Sequence, residues 1–153
     1  MPAVQIPVLM VANSASVDEY GNLTIQQGGW DRAAPVSLPC TFNAAVVGLA
    51  VFEDSEVSAQ QVLRLTISDL AGTEPWFATS TLVHDRNEPA VPGVLRRAGF
   101  AVPFTFAAMK AAVARVSASH DGAELASCTF LIQNVVADAA PARRSRRKAP
   151  AEN

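Results

Sequence analysis

Two segments of this chain place apolar residues at every second position. Residues 61–68 set Leu63, Leu65 and Ile67 against Val62, Arg64 and Thr66, and residues 22–26 set Leu23 and Ile25 against Asn22, Thr24 and Gln26. Side chains of an extended strand alternate between two faces, whereas a helix needs a spacing near 3.6. Each segment therefore predicts a strand with one dry and one wet face.

Further strand-like runs follow the same reading. Residues 6–12 are apolar and end at Asn13-Ser14, and residues 18–21 (Asp-Glu-Tyr-Gly) are turn-like. Gly28-Gly29-Trp30-Asp31 closes the second strand, with the indole placed to fold back over the core edge. Residues 41–52 are apolar apart from Thr41 and Asn43, which predicts a central strand covered on both faces or one bulged at Gly48; a helix is the competing reading. Residues 76–84 form another strand and residues 85–93, with Pro89 and Pro92, a loop. Pro103 within residues 99–106 points to an edge strand. Residues 107–112 have the highest helix propensity in the chain and are read either as one or two helical turns or as a direct lead into the next strand.

Asp121-Gly122 lies between strand-like residues 112–119 and 123–132, a strong hairpin signal. Apolar matching favours a three-residue loop, His120-Asp121-Gly122, pairing Val116 with Ala126, Ala114 with Cys128 and Ala112 with Phe130. The whole predicts an all-β chain: a single antiparallel β-sandwich of about seven to eight strands with at most one short helix.

Composition sets the boundaries. A chain of 153 residues, 50% apolar and 17% charged, is long enough for one hydrophobic core. Ala and Val dominate, so the core is expected to be built from small and β-branched side chains. Residues 1–140 carry 13 acidic and 7 basic residues, while the last thirteen carry five basic and one acidic. Residues 1–138 are therefore assigned to the sandwich and residues 139–153, rich in Ala, Pro, Arg, Ser and Lys, to a disordered basic tail. Cys40 and Cys128, 88 positions apart and without CxxC spacing, are expected to be buried free thiols. The apolar N-terminal stretch lacks a basic flank and contains Pro7, so it reads as a strand rather than a signal segment. No stretch approaches the ~20 apolar residues of a membrane helix. A cytoplasmic location without membrane association is expected.

Val11-Ala12-Asn13-Ser14-Ala15, Gly21-Asn22-Leu23-Thr24-Ile25 and Gly28-Gly29-Trp30-Asp31 resemble the opening of a family of small bacterial β-sandwich proteins of unknown function. That family opens on an A-D-S-A strand, passes through G-K-L into a G-G-W-D/N turn, and ends with a D-G hairpin and a closing strand. Here the closing part is His120-Asp121-Gly122 and then Cys128-Thr129-Phe130-Leu131-Ile132. The resemblance covers roughly residues 6–135. Asn13 replaces the acidic residue, and residues 107–112 stand where the family has a Pro-Gly turn. It implies the sandwich and no particular chemistry.

His84 and His120 are each followed by an aspartate, and Ser119 precedes His120. A Ser-His-Asp triad needs groups converging from separate chain positions, which sequence neighbours do not supply, and no Gly-x-Ser-x-Gly elbow exists. Glu53, Asp54 and Glu56 form an acidic loop without the Asp-x-Asp-x-Asp-Gly spacing of a calcium loop, so it reads as solvated. Gly28-Gly29 lacks the Lys-Ser/Thr of a phosphate loop. No catalytic residue, metal ligand or cofactor is assigned. Trp30 and Trp76 are candidate ligand-binding residues, as an aromatic platform or as core anchors. Arg143, Arg144, Arg146, Arg147 and Lys148 are candidate polyanion-binding residues, weak and without sequence preference. The leading expectation is a non-enzymatic structural or protein-interaction module, with a protein partner or self-association through residues 6–12 or 99–106. A small-ligand or carbohydrate binder, and nucleic-acid binding through the tail alone, are the alternatives.

Overall fold

In a computed structural model, the described residues are 4–33, 37–53, 62–69, 76–81, 91 and 93–134. They form eight strands: β1 (Val4–Val17), β2 (Leu23–Gly28), β3 (Cys40–Glu53), β4 (Val62–Asp69), β5 (Trp76–Thr81), β6 (Leu95–Ala108), β7 (Ala112–His120) and β8 (Ala123–Ile132). Two four-stranded antiparallel sheets result, in the orders β2-β1-β3-β6 and β5-β4-β7-β8. β1 faces β7 and β8 across the core, and β5 approaches β6. The all-β sandwich expected from the alternation is thus the observed architecture. Residues 107–112 take the strand reading: β6 runs through Ala108 and β7 begins at Ala112.

The core lies between the sheets. Leu63, Leu65 and Ile67 of β4 are all buried, as their alternation requires, together with Phe52, Phe100, Phe130, Val46 and Ile132. Small residues such as Ala44, Ala50, Ala98, Ala114 and Ala118 complete the layer. The expectation of a small-residue core is correct in number but incomplete, because phenylalanines from β3, β6 and β8 are its largest members. Burying one such side chain contributes roughly 1.5–3 kcal/mol.

β3 explains why its sequence lacked alternation. Phe42, Ala44, Val46, Ala50 and Phe52 face the main core, whereas Ala45 and Val47 join Ala12 in a second small cluster on the outer face, flanked by Met10, Ala15 and Leu23. The cover is an arm made by the second half of β1 and β2. β1 pairs with β3 only as far as Ala12↔Ala45, after which its residues pair with β2 alone, from Ser14↔Gln26 to Val17↔Leu23. The arm folds across the sheet so that its tip reaches the far edge: the Gly99 N–H of β6 donates to Gly21 O at 3.0 Å, and Leu23 lies against Gly99. A Cβ at residue 99 would run into Leu23 and come within 2.9 Å of Gly21 O, so the close approach requires glycine. Asp18 holds the tip in shape, its carboxylate accepting from the Tyr20 and Asn22 amides at 2.9 Å each. Those hydrogen bonds, led by Asn22, hold its carboxyl below the usual range.

Two register expectations are corrected. The ladder between β3 and β6 passes Gly48↔Phe100 without interruption, and the irregularity lies instead on β1 between Gln5 and Val8, where Pro7 has no N–H to contribute. In the last hairpin, Asp121 (φ 48°) and Gly122 (φ 79°) both adopt positive φ, the signature of a two-residue type I′ turn. His120 pairs with Ala123, and an irregularity between Ala118 and Ser119 leaves Leu125 extra, so that Val116 meets Cys128, Ala114 meets Phe130 and Ala112 meets Ile132. The expected and observed pairings differ by two residues. A shift of two keeps every side chain on its face, so apolar matching selected the correct face but not the correct partner.

Two of the four edge strands, β6 and β8, are blunted. Alternate residues of an antiparallel strand direct their peptide groups to opposite sides. Because the Gly99 N–H leaves β3 for Gly21, the odd residues of β6 point to the free edge, and Pro103 stands at one of the positions where no partner needs its missing N–H. This fits the edge role expected for residues 99–106. Residues 6–12 lie in β1, which meets β2 only from Ala12 onward, so residues 6–10 have β3 on one side and no strand pairing on the other among the described residues. At the edge of β8, residues 31–33 form a parallel strap: Leu131 N–H donates to Asp31 O at 2.9 Å and Leu131 O accepts from Ala33 N–H at 2.8 Å.

Candidate functional site

Where β1 leaves β3, a cleft of about 650 Å³ opens on the outer face of the first sheet. Its floor is two cross-strand pairs of β3 and β6, Asn43↔Thr105 and Ala45↔Pro103, and its wall is Asn13, Ser14 and Ala15 of the arm. Thr105 Oγ1 donates to Asn43 Oδ1 at 2.9 Å. On the arm, Asn13 Nδ2 donates to Gln27 Oε1 and Ser14 Oγ to Gln26 Oε1 at 3.0 Å. These contacts orient the polar side chains without using their full capacity. An amide has two donors and two acceptor lone pairs, so Asn43 keeps its Nδ2 hydrogens for a ligand.

The cleft also borders backbone edges. Odd residues of β3 direct their peptide groups toward the side of β1, by the same alternation that sends Gly99 outward on β6. Beyond Ala45 there is no β1 to meet them, and Thr41 and Asn43 have no ladder partner on that side among the described residues. Val11 O accepts from the Gly29 and Trp30 amides on the β2 side, so Ser14 and Ser16 direct theirs away from β2. Among the described residues, no side chain lining the cleft carries a charge. Amide, hydroxyl and peptide groups bind through hydrogen bonds, and none of them moves protons near neutral pH.

The residues singled out from sequence lie elsewhere. Trp30 is half-buried and meets Phe130 edge to face at 6.2 Å between centroids, with its Nε1–H donating to Gln27 O at 3.0 Å. It is held as a core anchor at the start of the strap. Trp76 opens β5 opposite Ile67, and its side chain lies outside the described part. His84, Asp54, Glu56 and the tail residues Arg143, Arg144, Arg146, Arg147 and Lys148 lie outside the described residues. His120 Nδ1 is 3.5 Å from Asp121 Oδ2 in the exposed turn, while Ser119 Oγ donates to Arg64 O, so the three neighbours do not form a relay. Cys40 and Cys128 are both free thiols, half-buried at the rim of the core instead of fully buried as expected, and burial pushes the Cys128 thiol up, away from the thiolate form. Among the described residues no three His, Cys, Asp or Glu side chains gather as metal ligands. No helix among them is long and apolar enough to cross a membrane.

Asn13, Ser14, Asn43, Pro103 and Thr105 were not anticipated as a site. The one available signal was Asn43, a polar interruption with Thr41 of an otherwise apolar run.

No protein-family model matches the chain, and no curated protein matches it in sequence. Among solved structures, an alkylpurine DNA glycosylase from Pseudomonas fluorescens, bound to DNA containing an abasic site analog, is similar at 14% identity and a TM-score of 0.40. The match covers 86% of this chain and 30% of that one.

Proposed function

We propose that the chain is a non-enzymatic protein-interaction module whose recognition surface is the cleft beneath the arm. The observation that carries this reading is the convergence of uncharged amide and hydroxyl side chains from β1, β3 and β6 beside backbone groups without ladder partners. Such a lining suits the holding of a polar, uncharged surface rather than bond making. Selection of a random twelve-residue peptide library on the intact chain tests it. Peptides that bind are expected to lose at least tenfold in affinity for Thr105→Arg, which places a charge on the floor, and to keep it for Ser127→Arg on the exposed face of the other sheet. Failure to enrich any peptide, or equal retention by both variants, overturns the proposal.

A second reading rests on a separate observation, the five cationic residues among 143–148 in a chain that is otherwise acidic. Binding of duplex DNA through this segment depends on counterion release, so affinity falls steeply with salt, by a slope of about −0.9 per phosphate neutralised. Equal DNA affinity after deletion of residues 141–153 overturns it.

A further inference from the structure

We infer that the occupant of the cleft is an extended, uncharged peptide segment of a partner protein, added as a strand along the edge of β3 at Thr41 and Asn43. The inference rests on the interaction reading above and specifies its chemistry. β1 and β3 are paired up to Ala12↔Ala45 and then separate, so the floor strand continues to Cys40 without its neighbour. The peptide groups of Thr41 and Asn43 point into the space β1 has left, and those of Ser14 and Ser16 point away from β2. A vacated strand position is thus bordered by N–H and C=O groups at every second residue, the spacing that a peptide backbone in extended form also presents.

The side chains narrow the choice of ligand. Beside the vacated position Ala45 of β3 and Ala15 of the arm are small and apolar, while Asn13, Ser14 and Asn43 supply neutral hydrogen bonding; Pro103 and Thr105 stand one strand further on, across β3. A charged residue entering would lose water and meet no opposite charge, a costly transfer. An oligosaccharide fits less well. Among the described residues of the lining Phe104 is the one aromatic and its side chain is buried, and Trp30 is turned onto Phe130, so neither presents a face for a sugar ring to stack on. The edge free of β1 spans Cys40 to Ala44, room for about four to five residues at about 3.3 Å each. Main-chain pairing would supply affinity, and the small pockets would select short neutral side chains such as Ala, Ser and Thr.

The test takes peptides selected from the twelve-residue library and methylates their backbone nitrogens one at a time. Strand addition predicts that methylation at alternate positions weakens binding at least tenfold while the positions between stay within about twofold. It also predicts that saturating peptide slows amide hydrogen exchange at Thr41 and Asn43, with no change at Ser127 and Thr129 on β8. A flat methylation profile, or protection appearing at another strand edge, overturns strand addition and leaves the interaction reading standing. If the library yields no binder while a glycan array does, both fall together.

Discussion

The two sheets share one core yet treat their outer faces in opposite ways. On the second sheet the outer face is mainly polar: Thr66 and Ser68 are buried, Thr66 and Ser117 are hydrogen-bonded across strands, Arg115 and Glu124 form a two-pronged ion pair, and Ser127 and Thr129 are exposed. On the first sheet the arm covers Ala45 and Val47 with a second apolar layer and then stops short of Asn43 and Thr105. A face that is half covered has an internal boundary, and the cleft lies along that boundary. The outer face of the second sheet carries no second apolar layer of this kind among the described residues.

Substitution of matched outward positions should break this symmetry most visibly. Val47→Asp puts an unpaired carboxylate beneath the arm and is expected to cost about 3 kcal/mol or more, whereas Ser127→Asp on the other sheet should stay within about 0.5 kcal/mol; urea denaturation measures both. Equal costs would mean that the arm does not exclude water from the first face.

A smaller effect should separate the arm from the sheet beneath it. Gly99→Val forces Leu23 and Gly21 away from β6, with an expected loss of about 1–3 kcal/mol. Amide exchange should accelerate at residue 99 and along residues 14–26 while β4 and β7 remain protected. Uniform acceleration throughout the chain would show that the arm belongs to the same cooperative unit as the core.

The smallest effect concerns the polar face. Arg115 and Glu124 are hydrogen-bonded, and that contact first, with their opposite charges, holds the Glu124 carboxyl below its ordinary value. A folded-state value lowered relative to the unfolded chain gives stability that is present above the unfolded value and is lost as pH falls through the folded one. Both side chains are more than a third exposed, so Glu124→Gln should remove no more than about 0.5 kcal/mol near neutral pH and nothing at pH 2. A loss that persists unchanged at pH 2 would assign the effect to packing instead of charge.

Legibility in the sequence follows the same division. Leu63, Leu65 and Ile67 alternate because the back of β4 is polar, and their placement was readable from that pattern alone. β3 was harder, since cover on both faces erases the period of two, leaving a helix as a rival reading. The hairpin at Asp121-Gly122 was found, but its register depended on two positive φ angles and on an extra Leu125, neither of which changes which face a residue occupies. The arm was invisible because its seat is a glycine, and the absence of a side chain at Gly99 carries no information about what comes to rest there. The cleft was invisible for a related reason. Asn43 and Thr105 lie 62 positions apart and are ordinary strand residues until the sheet brings them together beneath Asn13.

The strap formed by residues 31–33 has a consequence for how the molecule behaves in company. A β-sandwich with open flanks invites copies to stack into ribbons, and concentration alone then drives fibril growth. Here the connection between β2 and β3, two strands of the first sheet, also stoppers the flank of β8 in the second sheet at Leu131, while Pro103 and the Gly21–Gly99 bond interrupt the flank of β6. Resistance to stacking at these two flanks is thereby written into the route of the backbone instead of into surface charge.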